Sequence, residues 1–185
     1  MYTISRKFHN CKIKMIAYNL PNKYNRKDIM EKKPISRAGF DSLIKELKDL
    51  QENQRPEILK TVQWARSLGD LSENADYSAA KEKQRQIDAR IRFIENVIEN
   101  AAVIDIDSLS GNRVVFGARV VAEDEDGNKM QCRILSDIES DGRTVISCTS
   151  PVGRAMIGRC VGDTCIVKLP GGEKEYEILS VTFKE

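Results

Sequence analysis

The most regular hydrophobic pattern in the chain lies between residues 80 and 101. Its positions recur at alternating spacings of four and three residues: Ala80, Gln84, Ile87, Ile91, Ile94, Ile98 and Ala101. A seven-residue repeat of this kind is typical of a helix that packs along one narrow seam against another helix. The pattern therefore predicts one long helix over this part of the chain.

Two further sets of apolar positions with helical spacing come before this region. They are Phe40, Leu43, Leu47 and Leu50, and then Ile58, Val62, Ala65 and Leu68. Pro56 lies between the two sets and predicts a kink or short break, because proline lacks the amide hydrogen that a helix interior uses.

A short connection separates these sets from the seven-residue repeat. Gly69 can end the first helix, and Asp70 and Glu73 have the spacing of a capping box that starts the next one. Two helices joined by so short a segment fold back on each other. We therefore expect an antiparallel coiled-coil hairpin over residues 30–103, with its tip at residues 69–76.

From residue 104 onward the pattern is that of strands. Alternation indicates a strand over 114–120, a turn at 126–128 precedes another over 130–135, and a third is expected over 143–148. A short helix is expected over 152–157, and a final hairpin turns at 170–172. Residues 104–185 therefore form a small antiparallel sheet domain with one short helix, and the fold class is α+β.

The charge distribution sets the first 29 residues apart from the remainder. They hold seven basic residues and one acid, which leaves 23 basic against 27 acidic residues, a net charge of −4, for residues 30–185. An acidic body argues against a broad nucleic-acid-binding surface. We interpret residues 1–29 as a disordered extension or a mis-assigned start with Met30 as the functional one. A transit peptide stays open.

The apolar and cysteine patterns exclude two further classes. No apolar run approaches the roughly 18 residues of a membrane span, so a membrane protein is not expected. The five cysteines contain no C-x-x-C pair and the single histidine is His9, so a zinc site of common spacing is not expected either. An odd number of unpaired cysteines fits a reducing compartment, and we expect a cytoplasmic protein.

Three acids are the main candidates for chemistry. Asp70, Glu73 and Asp76 follow one another at intervals of three, which places them near one another on one helical face. They are either a helix cap with a solvated neighbour or an acidic patch that binds a metal. Because Mg²⁺ requires a nearly complete octahedron of oxygens, such a patch needs ligands from a second molecule.

Four stretches of the chain closely resemble the bacterial Gre-type transcript cleavage factors. They are residues 69–82 (Gly-Asp-Leu-Ser-Glu-Asn-Ala-Asp-Tyr-Ser-Ala-Ala-Lys-Glu), 115–118 (Val-Phe-Gly-Ala), 150–158 (Ser-Pro-Val-Gly-Arg-Ala-Met-Ile-Gly) and 169–173 (Leu-Pro-Gly-Gly-Glu). The resemblance covers nearly all of residues 31–185, in order, and the basic extension departs from it. The acidic body resembles the less basic of the two branches of that family.

The resemblance implies a fold and a mode of action. It implies a coiled-coil hairpin followed by an FKBP-like domain without peptidyl-prolyl isomerase activity. This domain would dock at the entrance of the RNA polymerase secondary channel, and the hairpin would enter it. The polymerase would then cleave the 3′ end of backtracked nascent RNA with Mg²⁺ shared between both proteins. The factor would bind no cofactor alone, would not itself be the enzyme, and is expected to be a monomer.

The resemblance also implies roles for individual residues. Asp70 and Glu73 match the catalytic, metal-binding pair. The other matched positions are those that support the tip or the RNA, namely Asn74, Asp76, Tyr77, Arg66 and Lys81, and those that dock to polymerase, namely Ser150, Pro151 and Arg154. Ordinary packing of Tyr77, a solvated basic face and an ordinary helix start at Ser150 remain alternatives.

Two other functions are alternatives to the stimulation of transcript cleavage. A channel-binding regulator that does not stimulate cleavage would share the fold but would differ in its tip acids. An FKBP-like isomerase would need an aromatic-lined apolar pocket, whereas residues 104–185 contain only Phe116, Tyr176 and Phe183 as aromatic residues.

Overall fold

The computed structural model describes residues 32–68 and 75–183. The predicted basic extension at 1–29 lies outside this range. The chain divides into two compact units, of which one is Phe40–Asn100 and the other includes residues 32–39 and 101–183. No helix within the described residues has the length and apolar character needed to cross a membrane.

Four α-helices and seven strands make up the described chain. The helices are α1 (Arg37–Asp49), α2 (Arg55–Ser67), α3 (Ala75–Glu99) and α4 (Pro151–Met156), with a π-helical turn at Leu50–Gln54 and a 3₁₀ turn at Ile106–Ser108. The strands are β1 (Lys33–Ser36), β2 (Ala101–Ile104), β3 (Arg119–Asp124), β4 (Lys129–Leu135), β5 (Val145–Ser147), β6 (Thr164–Leu169) and β7 (Gly172–Thr182). The α+β class and the single short helix beside the sheet are confirmed.

The helical unit is an antiparallel hairpin held along the predicted seam. The seam positions Ala80, Ile87, Ile91 and Ile94 of α3 are buried, as are Leu43, Leu50 and Ala65 of the opposing arm. Glu46 pairs with Arg90 at 2.6 Å, and Arg55 pairs with Asp88 at 2.8 Å. Because such exposed pairs contribute about 0–1 kcal/mol each, the buried apolar seam supplies most of the stability.

The predicted irregularity near Pro56 is a π-helical turn rather than a break. If the alternating spacing of three and four residues that includes Leu50 continued without interruption, it would place an apolar residue at position 57. The next apolar residue is instead Ile58, one position further along the chain. The turn absorbs this extra residue, because the amide of Arg55 bonds to the Leu50 carbonyl five residues earlier. Pro56 follows in the first turn of α2, directly after the π-helical turn.

The same shift explains why two large apolar side chains lie outside the seam. Trp64 and Leu68 occupy the positions that an uninterrupted repeat would have placed inside the hairpin. After the extra residue, Ala65 is buried instead, and Trp64 and Leu68 are 57% and 58% exposed. The prediction that Leu68 continues the apolar seam is therefore wrong.

The second unit is built on a five-stranded sheet of order β5-β4-β3-β7-β6. Its pairs are antiparallel except for the edge pair of β4 and β5, in which Arg133 lies opposite Val145 in parallel. The predicted antiparallel sheet therefore has one parallel pair, at this edge. Residues 136–144 lead the chain back along β4, so that β5 runs in the same direction as its neighbour.

The buried core of the second unit lies on one face of the sheet. Phe116, Ile134, Met156 and Ile178 are fully buried there. The residues from Val114 to Ala118, predicted to begin a strand, are buried one after another rather than alternately. They cross the core before β3 begins, and the amide of Val114 donates to the Arg159 carbonyl at 2.8 Å.

A small parallel pair of strands belongs to this unit as well. β1 and β2 pair from Lys33 with Ala101 to Ser36 with Ile104, although the sequence analysis assigns residues 33–36 and 101–103 to the hairpin domain. The carboxylate of Glu139 accepts hydrogen bonds from the hydroxyls of both Ser36 and Ser136. The Ser36 hydroxyl also accepts from the Gly39 amide at 2.9 Å, which fixes the start of α1.

The close approach of α4 to the end of β5 generates a stability prediction. A side chain at Gly153 would lie far inside van der Waals distance of the Ser147 carbonyl oxygen, a backbone atom that cannot move aside. We expect Gly153→Ala to lower the free energy of unfolding by about 2 kcal/mol or more. Urea titration followed by circular dichroism measures this change.

The matched control is Gly171→Ala, because no atom lies within 4 Å of a side chain built there. Its effect should stay within about 0.5 kcal/mol. Equal stability of the Gly153→Ala variant and the unaltered protein would contradict the close packing of α4 on β5.

Candidate functional site

The predicted tip lies between two well-defined helix ends. α2 ends at Ser67 and α3 begins at Ala75, so residues 69–74 connect the two arms of the hairpin. Three predicted site residues, Asp70, Glu73 and Asn74, fall in this segment and lie outside the described residues. The hairpin brings its ends together at this connection, and the roles of the three residues stay predictions.

Two predicted residues occupy the helix ends that flank the connection. Arg66 lies in the last turn of α2, and Asp76 lies in the first turn of α3; both are exposed. A cation at a helix C-terminus and an anion at an N-terminus are each favourable to the helix dipole. Arg66 forms no ion pair with another described residue.

Tyr77 and Lys81 lie farther along α3 and are less accessible. Both side chains are half-buried against the hairpin. The ammonium of Lys81 donates to the Gln84 side-chain oxygen at 3.1 Å, one turn along the same helix. Lys81 therefore has a neutral partner within its own helix, and the other two hydrogens of its ammonium group are not used by this bond.

Trp64 is a surface feature near this end that the sequence analysis does not identify. It lies three residues before the end of α2, and Leu68 follows one helical turn later. Together they form an exposed apolar strip. The sequence does indicate this exposure: the apolar spacing shifts by one residue between Leu50 and Ile58, and the shift moves both side chains off the seam.

The predicted docking segment opens α4, and its three residues differ in accessibility. The hydroxyl of Ser150 accepts from the Gly153 amide at 3.0 Å and donates to the Ser147 carbonyl at 2.7 Å. Ser150 is therefore the N-cap of this helix, which is a structural role. Pro151 and Arg154 are exposed, so they are the residues that a partner could contact directly.

Asp137 is a second feature that the sequence analysis misses. It is exposed beside the docking segment, and one of its carboxylate oxygens accepts hydrogen bonds from the hydroxyls of Ser147 and Thr149. These bonds hold an acid next to the residues that begin α4. No local pattern could have indicated this, because Asp137 and Thr149 meet only once β5 has paired with β4.

Two cysteines of the sheet unit, Cys132 and Cys148, are buried. Burial raises the pKa of Cys132 to about 11 and that of Cys148 to about 12, so both are neutral thiols at physiological pH. Among the described residues, no group of three or more His, Cys, Asp or Glu side chains could hold a metal ion.

The aromatic residues weigh against an isomerase pocket. Phe116 is fully buried, and Phe183 is 6% exposed, so both belong to the core. A cleft of about 470 Å³ on the sheet is lined by Arg119, Gln131, Cys132, Arg133, Thr144 and Val145. It contains no aromatic residue, in contrast to the aromatic-lined pocket that an FKBP-like isomerase uses.

Comparison with known proteins assigns both units to one family. Residues 33–103 match the family profile "Transcription elongation factor, N-terminal", and residues 109–183 match "Transcription elongation factor, GreA/GreB, C-term". Together these matches cover most of the chain.

Individual relatives agree with this assignment. Transcription elongation factor GreA of Anaeromyxobacter is 50% identical over 158 residues, which is 84% of this chain and 95% of that protein. GreA of Helicobacter pylori is 42% identical over 158 residues, covering 84% and 96%. Both are GreA factors, as expected from the acidic body.

A solved structure is also similar in sequence. The GreA factor homolog 1 of Thermus thermophilus is 26% identical, covers 80% of this chain and 97% of its own, and aligns with a TM-score of 0.39. The family assignment follows from the two profiles and the GreA relatives. This chain belongs to the GreA/GreB family of transcription elongation factors.

Proposed function

We propose that this protein enters the secondary channel of RNA polymerase and stimulates cleavage of the 3′ end of backtracked nascent RNA by the polymerase. The observation that carries the proposal is the slender antiparallel hairpin, whose arms end at Ser67 and resume at Ala75. The connection between them contains Asp70 and Glu73. A pair of helices can deliver carboxylates into a narrow channel that a globular domain could not enter.

Asp70 and Glu73 would hold a Mg²⁺ ion together with ligands of the polymerase. Carboxylate oxygens are the ligands that Mg²⁺ prefers, but two side chains cannot complete its octahedron. The protein therefore needs the polymerase to supply the remaining ligands. With the ion bound, Mg²⁺ would lower the pKa of a water molecule and stabilise negative charge on the leaving oxygen.

The remaining predicted residues would position the hairpin and the RNA. Arg66 offers an exposed guanidinium for phosphate, with Lys81, Asn74, Asp76 and Tyr77 in supporting roles. Pro151 and Arg154 would contact polymerase outside the channel, and Ser150 would hold the helix that presents them. Such a factor acts where transcription takes place, in the bacterial cytoplasm.

The first functional prediction concerns the tip acids. We expect the double variant Asp70→Ala, Glu73→Ala to reduce stimulated cleavage at least about 100-fold, because the metal loses its ligands from the factor. Binding to polymerase should stay nearly unchanged, since neither residue is one of the apolar positions of the hairpin pattern. The measurement is release of labelled RNA fragments from a stalled elongation complex, beside a binding assay.

Glu99→Ala is the matched control, because Glu99 is an exposed acid at the far end of the same helix, α3. It should cleave at the unaltered rate. Full cleavage by the double variant would exclude the metal-binding role. If the unaltered protein bound polymerase without stimulating cleavage, it would instead be the channel-binding regulator.

The second functional prediction concerns docking. Arg154→Glu reverses an exposed charge at α4 and should weaken binding to core polymerase several-fold to about tenfold, because complementarity at the rim is lost. Arg143→Glu changes an exposed arginine in a different loop of the same unit and serves as the control. If both variants pull down polymerase as well as the unaltered protein does, α4 is not the docking site.

The third functional prediction is that the protein alone does not cleave RNA. Two carboxylates do not by themselves make the enclosed site in which metal ions stabilise a phosphoryl transition state, and His9, the single histidine, lies in the extension. Purified protein incubated with single-stranded RNA and Mg²⁺ should leave the RNA intact. Shortened RNA that disappears with the Asp70→Ala, Glu73→Ala variant would show that the hairpin itself is the enzyme.

A further inference from the structure

Two arginines face each other on the solvent side of the sheet. Arg119 of β3 and Arg133 of β4 are directly opposite in the antiparallel register, and both are half-buried. Side chains in such a pair lie on the same face with their Cβ atoms about 5 Å apart. Like charges directly opposite each other in a sheet are destabilising, so a negative group bound between the two guanidinium groups would stabilise the arrangement.

The described residues supply no such negative group. Neither guanidinium forms an ion pair with a described carboxylate. The same two strands behave differently at their other end, where Glu123 lies opposite Lys129 and pairs with it at 3.7 Å. Among the described residues, this strand pair therefore has an ion pair at one end and two arginines without an acidic partner at the other.

Within the described residues, the two arginine side chains use few of their N–H donors. The Nε of Arg133 reaches the Gly117 carbonyl only at 3.5 Å, a weak contact. The nearby carboxylate of Asp141 accepts from the amides of Arg143 and Val145 and from the Thr144 hydroxyl. Asp141 is thus held by its own loop and does not neutralise either arginine.

The arginines line a cleft large enough for an organic ligand. Its volume is about 470 Å³, and Gln131, Thr144 and Val145 contribute to its wall. Binding pockets for small molecules usually measure about 300–1,000 Å³, which is more than a lone inorganic anion occupies. The exposed amide of Gln131 and the half-buried side chain of Val145 add one polar and one apolar contact beside the charges.

We propose that this cleft binds a small organic phosphate through Arg119 and Arg133. A phosphate monoester carries a charge of about −1.5 to −2 at neutral pH, which matches two guanidinium groups, whereas a carboxylate carries only one charge. The planar fork of each arginine can donate two parallel hydrogen bonds to phosphate oxygens. The site belongs to the sheet unit and does not rest on the proposed entry of the hairpin into polymerase.

Calorimetric titration of the full chain tests the proposal with three probes: adenosine 5′-monophosphate, adenosine and inorganic phosphate. We expect the nucleotide to bind with a Kd below about 1 mM at low salt, and each of the other two probes to bind at least tenfold more weakly. No measurable binding of the nucleotide, or equal binding of nucleotide and inorganic phosphate, would overturn the proposal.

Variants connect the binding to the two arginines. Arg119→Gln should weaken nucleotide binding at least about tenfold, because a charge-assisted hydrogen bond is lost. Arg133→Lys, which keeps the charge but loses the fork, should weaken it several-fold without disturbing the fold. Arg159→Gln removes an exposed arginine outside the cleft and should bind normally. An equal loss in Arg159→Gln would mean that overall charge attracts the nucleotide, which also overturns the site.

Discussion

The apolar seam between the two arms of the hairpin is the interaction on which the functional arrangement depends. Ile94 is fully buried there, and burial of a side chain of this size stabilises a structure by about 1.5–3 kcal/mol. The seam keeps the last turn of α2 next to the first turn of α3 and so fixes both ends of the connection that contains Asp70 and Glu73. The π-helical turn keeps this seam continuous despite one extra residue.

The elements best predicted from the sequence are those whose pattern is local. The seven-residue repeat of α3, the turn that joins β3 to β4 and the final hairpin each depend on neighbours within a few residues. The strand at β5 was predicted but its parallel direction was not, and the β1–β2 pair could not be predicted because the whole helical hairpin separates its two strands in the sequence. The hydrogen bond from Ser36 to Glu139 could not be predicted for the same reason, since 103 residues separate the two.

The sequence alone predicts the two parts of the candidate site, the tip and the docking segment, to different degrees. Family resemblance pointed to Asp70 and Glu73, whereas physical reasoning alone could not separate a capping box from a metal-binding pair. In the docking segment, the hydrogen bonds to the backbone show that Ser150 is a helix cap, and Pro151 and Arg154 are its exposed neighbours. Asp137 and the opposed arginines became visible only through strand register.

The displacement of Trp64 from the seam has a practical consequence. It is the single tryptophan of the chain, it is 57% exposed, and it lies on the helix that leads to the tip. Indole emission shifts to shorter wavelength when water is excluded from the ring. The hairpin therefore carries a built-in optical reporter, whose signal would follow insertion into a protein channel in real time without any chemical label.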